Sequence, residues 1–442
     1  MQTRSDVQKL SLINGRIHTP TSTASCITFE HGRIVSIDDE AASLSGKVID
    51  LHGRTVLPAF CDTGLDFLGW AENQERLSLS TIRSAHELTG ALTAYSQANP
   101  DPLRGWYIAQ GLPGNVHISR DDIDDAIPSK PCAVIDADNT HAILNTPAMS
   151  EFNMPQDNTE LDGFIQHLPP LSNEDILSLL RTYAPKINAL GIAEVWADLQ
   201  GDARRLWQVF FEEGYDLLTF RLRANFAFAS VNSLNEFLAA GLRTGDGLPF
   251  CKAGGILISD SVSQEEQKNM INSAHLSGCQ VIGTGSQYCI NALERVIKRF
   301  RKNSRHLLRG FAVNNALLDR MRMLGLGGIA EAGQTDDRLC ETFRNGIVIS
   351  AGSGSVLASP LKNIGAMIEH GLSTAEALNV YSWAAAWNGG VESRRGELAV
   401  GNDADVVVLE QDPFSVKPEE TAGIDVTMTF SAGRMVYDSG AI

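Results

Sequence analysis

The sequence predicts an α/β protein: a TIM-like (β/α)8 barrel, a small β-sandwich domain made from both termini, and a long insertion after the first barrel strand. Two patterns carry this expectation. Across residues 55–390, eight apolar runs alternate with capped helical stretches, as a barrel requires. On either side, residues 1–54 and 391–442 read instead as short alternating strands broken by turn dipeptides.

At the N-terminus the turns are Asn14-Gly15 and His31-Gly32, and near the C-terminus Ala432-Gly433, each between alternating apolar residues. These are hairpin signals in which glycine supplies a positive φ. The barrel strands are expected at 56–62, 192–198, 220–228, 254–260, 280–284, 306–312, 325–330 and 346–351. Ser172 with Asp175, Ser263 with Glu266 and Ser373 with Glu376 have capping-box spacing and mark helix starts. Gly191, Gly278 and Gly389 stand where those helices should stop. Residues 67–171 are too many for one crossover helix. They contain a helical stretch at 77–98, an extended one at 107–115 and a strand-like one at 131–144, and read as an insertion over the C-terminal mouth of the barrel.

Composition narrows the function classes. With 43% hydrophobic and 20% charged residues the 442-residue chain is ordinary for a globular protein, and no apolar run approaches a membrane span. A net charge of −17 would repel phosphate backbones, which argues against nucleic acid as a partner. No secretory h-region precedes the first strand, so the cytoplasm is the expected location. The seven cysteines are scattered without a CxxC pair and are expected to be buried small hydrophobes.

Three stretches carry a family resemblance. TVLPAFCDTGLDFLGW at 55–70, a Val-Leu strand ending in a Cys-Asp turn, is similar to the opening barrel strand of the amidohydrolase superfamily. STAEALNVYSWAAAWNGG followed by RRGELAVGNDADVVVLEQDPF resembles the final barrel helix returning into the β domain. IDADNTHAILNTPAM resembles the superfamily's amidohydrolase-3 branch, which includes N-substituted formamide deformylase-like proteins. The resemblance implies hydrolysis of non-peptide C–N bonds by one or two divalent metals held at strand ends.

The ligand positions that the resemblance implies are occupied by other residues. The His-x-His of the first strand reads Gly64 and Asp66, and Leu257 stands at the lysine of the fourth. Gly283 and Gly310 replace the histidines of the fifth and sixth strands, and Ala351 the aspartate of the eighth. Lys252 is the nearest lysine to Leu257, at an odd offset that turns it to the other face. The ten histidines include no His-x-His and no HExxH. No metal cofactor is therefore expected. Glycines at the lost positions should leave room for a small molecule.

The remaining candidates for chemistry are Asp62, Asp66, His141 and Asp260, with His141 and Asp66 also candidates for ligand contact. For each, an ordinary hydrogen-bonded polar residue is the competing reading. Three functions stay open: a metal-free, catalytically degenerate homologue that binds a small molecule or a partner; a metal-independent hydrolase, lyase or isomerase; and an active metal-dependent hydrolase with other ligands. A homodimer is the expected assembly.

Overall fold

The computed structural model describes residues 9–39, 46–152, 158–300, 305–310, 315–331 and 337–441. Two compact units divide the chain, residues 68–179 and the remainder.

In the larger unit, eight parallel strands follow one another around a barrel: β1 (Phe60–Leu65), β2 (Ile192–Leu199), β3 (Arg221–Ala227), β4 (Cys251–Leu257), β5 (Val281–Thr284), β6 (Leu307–Arg309), β7 (Gly327–Glu331) and β8 (Ile349–Gly352). A parallel bridge from Leu65 to Gly354 brings β8 back to β1. Three hydrogen bonds reinforce this closure. Gly354 N–H donates to the Gly64 carbonyl at 2.7 Å, Asp66 N–H to the Gly354 carbonyl at 2.9 Å and Thr63 Oγ1 to the Ala351 carbonyl at 2.9 Å. Cys61, Trp196, Ile282, Leu307 and Ile329 pack together in the barrel core, with half-buried Leu257 against them. The lysine position of the fourth strand is thus part of an apolar plug.

The strand expected at 56–62 is two strands. Thr55–Pro58 belongs to a six-stranded sheet with Arg16–His18, Thr23–Ala24, Val406–Leu409, Val426–Ser431 and Arg434–Asp438, and the barrel begins only at Phe60. The break falls after Pro58, which has no N–H to donate to a ladder. Asn14-Gly15 is likewise no hairpin, because Leu10–Ile13 and Arg16–His18 lie in different sheets, and the positive φ there is that of Asn14. His31-Gly32 and Ala432-Gly433 do join paired strands, each with both residues at positive φ. A buried cluster including Leu12, Phe29, Ile17, Val408 and Phe430 fills the space between the four-stranded and six-stranded sheets.

Reciprocal capping boxes form at Asn173–Asn188 and Thr374–Val380; at Gln264–Leu276 Ser263 Oγ caps Glu266 N–H, but the Glu266 carboxylate turns to Val231 N–H instead. Gly191 and Gly278 end Asn173–Asn188 and Gln264–Leu276 at positive φ, whereas the helix expected from Ser373 to Gly389 is two, Thr374–Val380 and Trp383–Gly389, the second capped by Gly390 rather than Gly389. At the N-terminal end of the barrel, Asp403 receives Arg221 at 3.4 Å, Arg394 at 2.9 Å and Arg395 at 2.9 Å, while Arg395 also pairs with Glu194 at 2.8 Å. This buried cluster ties the C-terminal segment to β2 and β3. All seven cysteines are buried and free.

The smaller unit carries its own five-stranded sheet, ordered Asn158–Glu160, His141–Leu144, Cys132–Asp136, Tyr107–Leu112 and Leu77–Ser78. The expected strand at 131–144 is therefore an antiparallel pair. The stretch expected to be helical at 77–98 opens as a strand, with the helix confined to Ala85–Ala98. Of the expected sixth barrel strand, residues 311 and 312 lie outside the described residues.

Candidate functional site

Side chains at the C-terminal ends of the strands converge on Arg309, the last residue of β6. Its guanidinium grips Asp198 near the end of β2 with two nitrogens: Nη1 on Oδ2, and Nη2 on Oδ1 at 3.1 Å. Nη2 also lies 3.4 Å from the Thr63 carbonyl of β1. Asp198 Oδ1 further accepts from Asn225 Nδ2 of β3 at 3.0 Å, and Asn225 Oδ1 accepts from Gly255 N–H of β4 at 2.8 Å. One continuous polar chain thus crosses five strands. Burial by itself would lower the Arg309 pKa, but the Asp198 carboxylate, helped by Glu331 and Asp62, outweighs it and holds the group above its ordinary value.

This arrangement explains Gly64. A Cβ there would lie 2.7 Å from Arg309 Nη2 and 3.2 Å from its Cζ. The space that a histidine would need is taken by a guanidinium. Gly283 is filled in a similar way, since a Cβ would overlap the Sγ of Cys289 on the helix Gln287–Phe300. The expectation that glycines leave room at the mouth is therefore wrong at Gly64 and Gly283, where neighbouring side chains occupy the volume. Gly310 has open space and a positive φ of 58°, and it turns the chain directly after Arg309. Ala351 is buried and meets Thr63 through its carbonyl.

Asp62 is buried beneath the β1–β8 closure, where it accepts from Ser353 Oγ, Ser353 N–H at 3.0 Å and Gly64 N–H at 3.1 Å. Burial pushes its carboxyl above the ordinary range, against the pull of the Ser353 and Gly64 bonds and with Asp198 adding to the rise. Asp66 is partly exposed just past β1. Asp260 lies on the exposed loop after β4 and accepts from Thr284 Oγ1 at 2.9 Å, so it braces β5. His141 lies in the smaller unit, half exposed, with Nδ1 2.9 Å from Thr140 Oγ1 and 3.7 Å from Asp136. Lys252 donates to the Gly247 carbonyl at 2.7 Å near the start of β4, away from the strand tips.

The residues that organise the mouth, Arg309, Asp198, Asn225 and Ser353, are absent from the sequence-derived candidates. A partial signal existed: the expected run 192–198 closes on Asp198, whereas Arg309 stands inside the expected run 306–312, and only the observed end of β6 at Arg309 brings it to the tip.

A divalent metal, which the resemblance implies, needs several free hard or borderline donors converging on one point. None of the ten histidines stands at the C-terminal tip of a barrel strand. His275 and His306 form a buried pair 2.8 Å apart, with His306 at the opposite, N-terminal end of β6. Asp198 is engaged by the guanidinium and Asp62 by three donors. With a cation already at the point of convergence, the described residues do not fit a divalent-metal centre. Between the loops after β2 and β3 lies a cleft of about 610 Å³, lined by Gln200, Asp202, Arg204, Phe228, Glu236 and Phe237 among others.

Comparison with known proteins agrees with this architecture. YtcJ of Bacillus subtilis (strain 168), an amidohydrolase by name, is 21% identical over 92% of this chain and 93% of its own length. The crystal structure of an uncharacterized metal-dependent hydrolase from Pyrococcus furiosus superposes with a TM-score of 0.77 at 17% identity, covering 92% of this chain and 100% of that one. Its counterpart from Pyrococcus horikoshii OT3 gives 0.76 at 18% identity, over 93% and 99%. The model of the amidohydrolase family matches residues 47–206 and 352–437, more than half of the sequence, and the chain belongs to that family.

Proposed function

We propose that this chain is a metal-free member of the amidohydrolase family that binds a small molecule without hydrolysing it, acting as a binding or regulatory protein. The observation that carries this reading is the Arg309–Asp198 pair at the strand tips, which places a protein cation where a catalytic metal would need open carboxylates and imidazoles. The cleft at the ends of β2 and β3 supplies a concave surface lined by aromatic Phe228 and Phe237 and by charged Asp202, Arg204 and Glu236, within the size range of small-molecule sites. Elemental analysis after purification without chelators tests the reading, and near-stoichiometric zinc, iron or manganese sinks it.

One observation favours a second reading, a metal-independent hydrolase, lyase or isomerase. A buried carboxyl with a raised pKa at a barrel mouth, as at Asp62, suits an acid or base. Turnover of amides, cyclic ureas or lactones that disappears in Asp62→Asn supports this second reading. A flat result across such a panel leaves binding ahead.

A further inference from the structure

Arg309 bonds Asp198 of β2 directly, and the charges of Asp62 of β1 and of exposed Glu331 at the end of β7 act on it as well. Left to themselves the three carboxylates would repel one another across a partly desolvated mouth. The guanidinium is planar, permanently charged and able to hold a carboxylate by two parallel bonds, which suits it to this place better than a lysine. Two further details show that the neighbours are shaped to it. Gly64 is the residue whose side chain would collide with Nη2, and Asn225 is turned to bond Asp198 on one side and the β4 backbone on the other.

We infer that Arg309 is the resident cation of the barrel mouth, holding the strand tips together in the electrostatic place of a metal ion. This inference rests on the metal-free reading above. A metal can be lost or exchanged, whereas a cation built into β6 cannot, so the mouth is organised without any ion to be acquired. Arg309 is on this account a positioning residue, acting through Asp198 and the Thr63 carbonyl.

The test uses the full-length protein as wild type, Arg309→Ala, Asp198→Asn and the double variant. Each is melted alone, with millimolar Mn²⁺ or Zn²⁺, and with NaCl of matched ionic strength. The expected result is a large loss of melting temperature in Arg309→Ala, part of which the divalent ions restore and NaCl does not. The wild type should be indifferent to the ions. The double variant, with no unpaired carboxylate at position 198, should melt above Arg309→Ala and also ignore the ions. A double variant no more stable than Arg309→Ala, or an Arg309→Ala protein that divalent ions leave unchanged, overturns the inference. If Arg309→Ala does not fold, the double variant decides: recovery of folded protein supports the inference, and failure to recover it overturns it. Stoichiometric metal in untreated wild type would instead overturn the metal-free reading, whatever the variants do.

Discussion

Replacing Gly64 by alanine adds one methyl group, and its cost can be worked from the mouth geometry. The new Cβ would stand 2.7 Å from Arg309 Nη2. Ordinary contact is near 3.5 Å, so the guanidinium must retreat by roughly 0.8 Å. The Nη2–Asp198 bond is already 3.1 Å long and cannot follow without being lost. A hydrogen bond between charged groups contributes about 1.5–3 kcal/mol, while relieving a glycine of its unfolded-state freedom returns about 0.4–1 kcal/mol. The net loss is therefore on the order of 1–2 kcal/mol. Chemical denaturation of wild type, Gly64→Ala, Arg309→Ala and the pair forms a double-mutant cycle. Without the arginine, Gly64→Ala should be neutral or slightly stabilising, because nothing else lies near that Cβ. Equal cost in both backgrounds would refute the claim that Gly64 exists to admit Arg309.

Three other outcomes are expected. Because burial raises the Asp62 carboxyl, ionising it costs the folded state as pH climbs from the unfolded value to the folded one. Asp62→Asn should therefore gain melting temperature relative to wild type over that climb, and a difference independent of pH contradicts the assignment. Asp403 has the opposite sign: burial opposes ionisation, but Arg221 and Arg395 prevail and hold it below the ordinary range. Its stabilisation is present above about pH 4 and lost as pH falls through the folded pKa, so Asp403→Asn should lose about 3–5 kcal/mol near neutrality, with the gap closing in acid. Asn388→Ala should cost about 1–3 kcal/mol in a denaturation experiment, because its Nδ2 donates to the buried Gly328 carbonyl at 3.0 Å and to Ser350 Oγ at 2.8 Å, and of these two only Ser350 Oγ keeps another side-chain donor, Thr63 Oγ1 at 2.9 Å; an unchanged midpoint would refute the bond's contribution.

Much of the architecture was legible along the chain. Strand and helix periodicity, with capping signals at Ser172, Ser263 and Ser373, is local chemistry, and it placed the barrel and its helices within a few residues. The loss of histidines at Gly64, Gly283 and Gly310 was equally plain. What failed was any reading that needed partners distant in sequence. Asn14-Gly15 has the composition of a hairpin, but its flanking strands pair elsewhere, and only the competition among sheets settles that.

The sequence by itself determined that a parallel barrel forms and that its tips lack imidazoles, since both follow from the residue types at each strand. Only the tertiary structure decided what replaced them. Arg309 and Asp198 are separated by 111 positions, and Arg309 and Gly64 by even more. Their meeting depends on β1, β2 and β6 being tilted onto one centre. An empty-looking glycine is a statement about its neighbours, and the chain brings those together only when it folds.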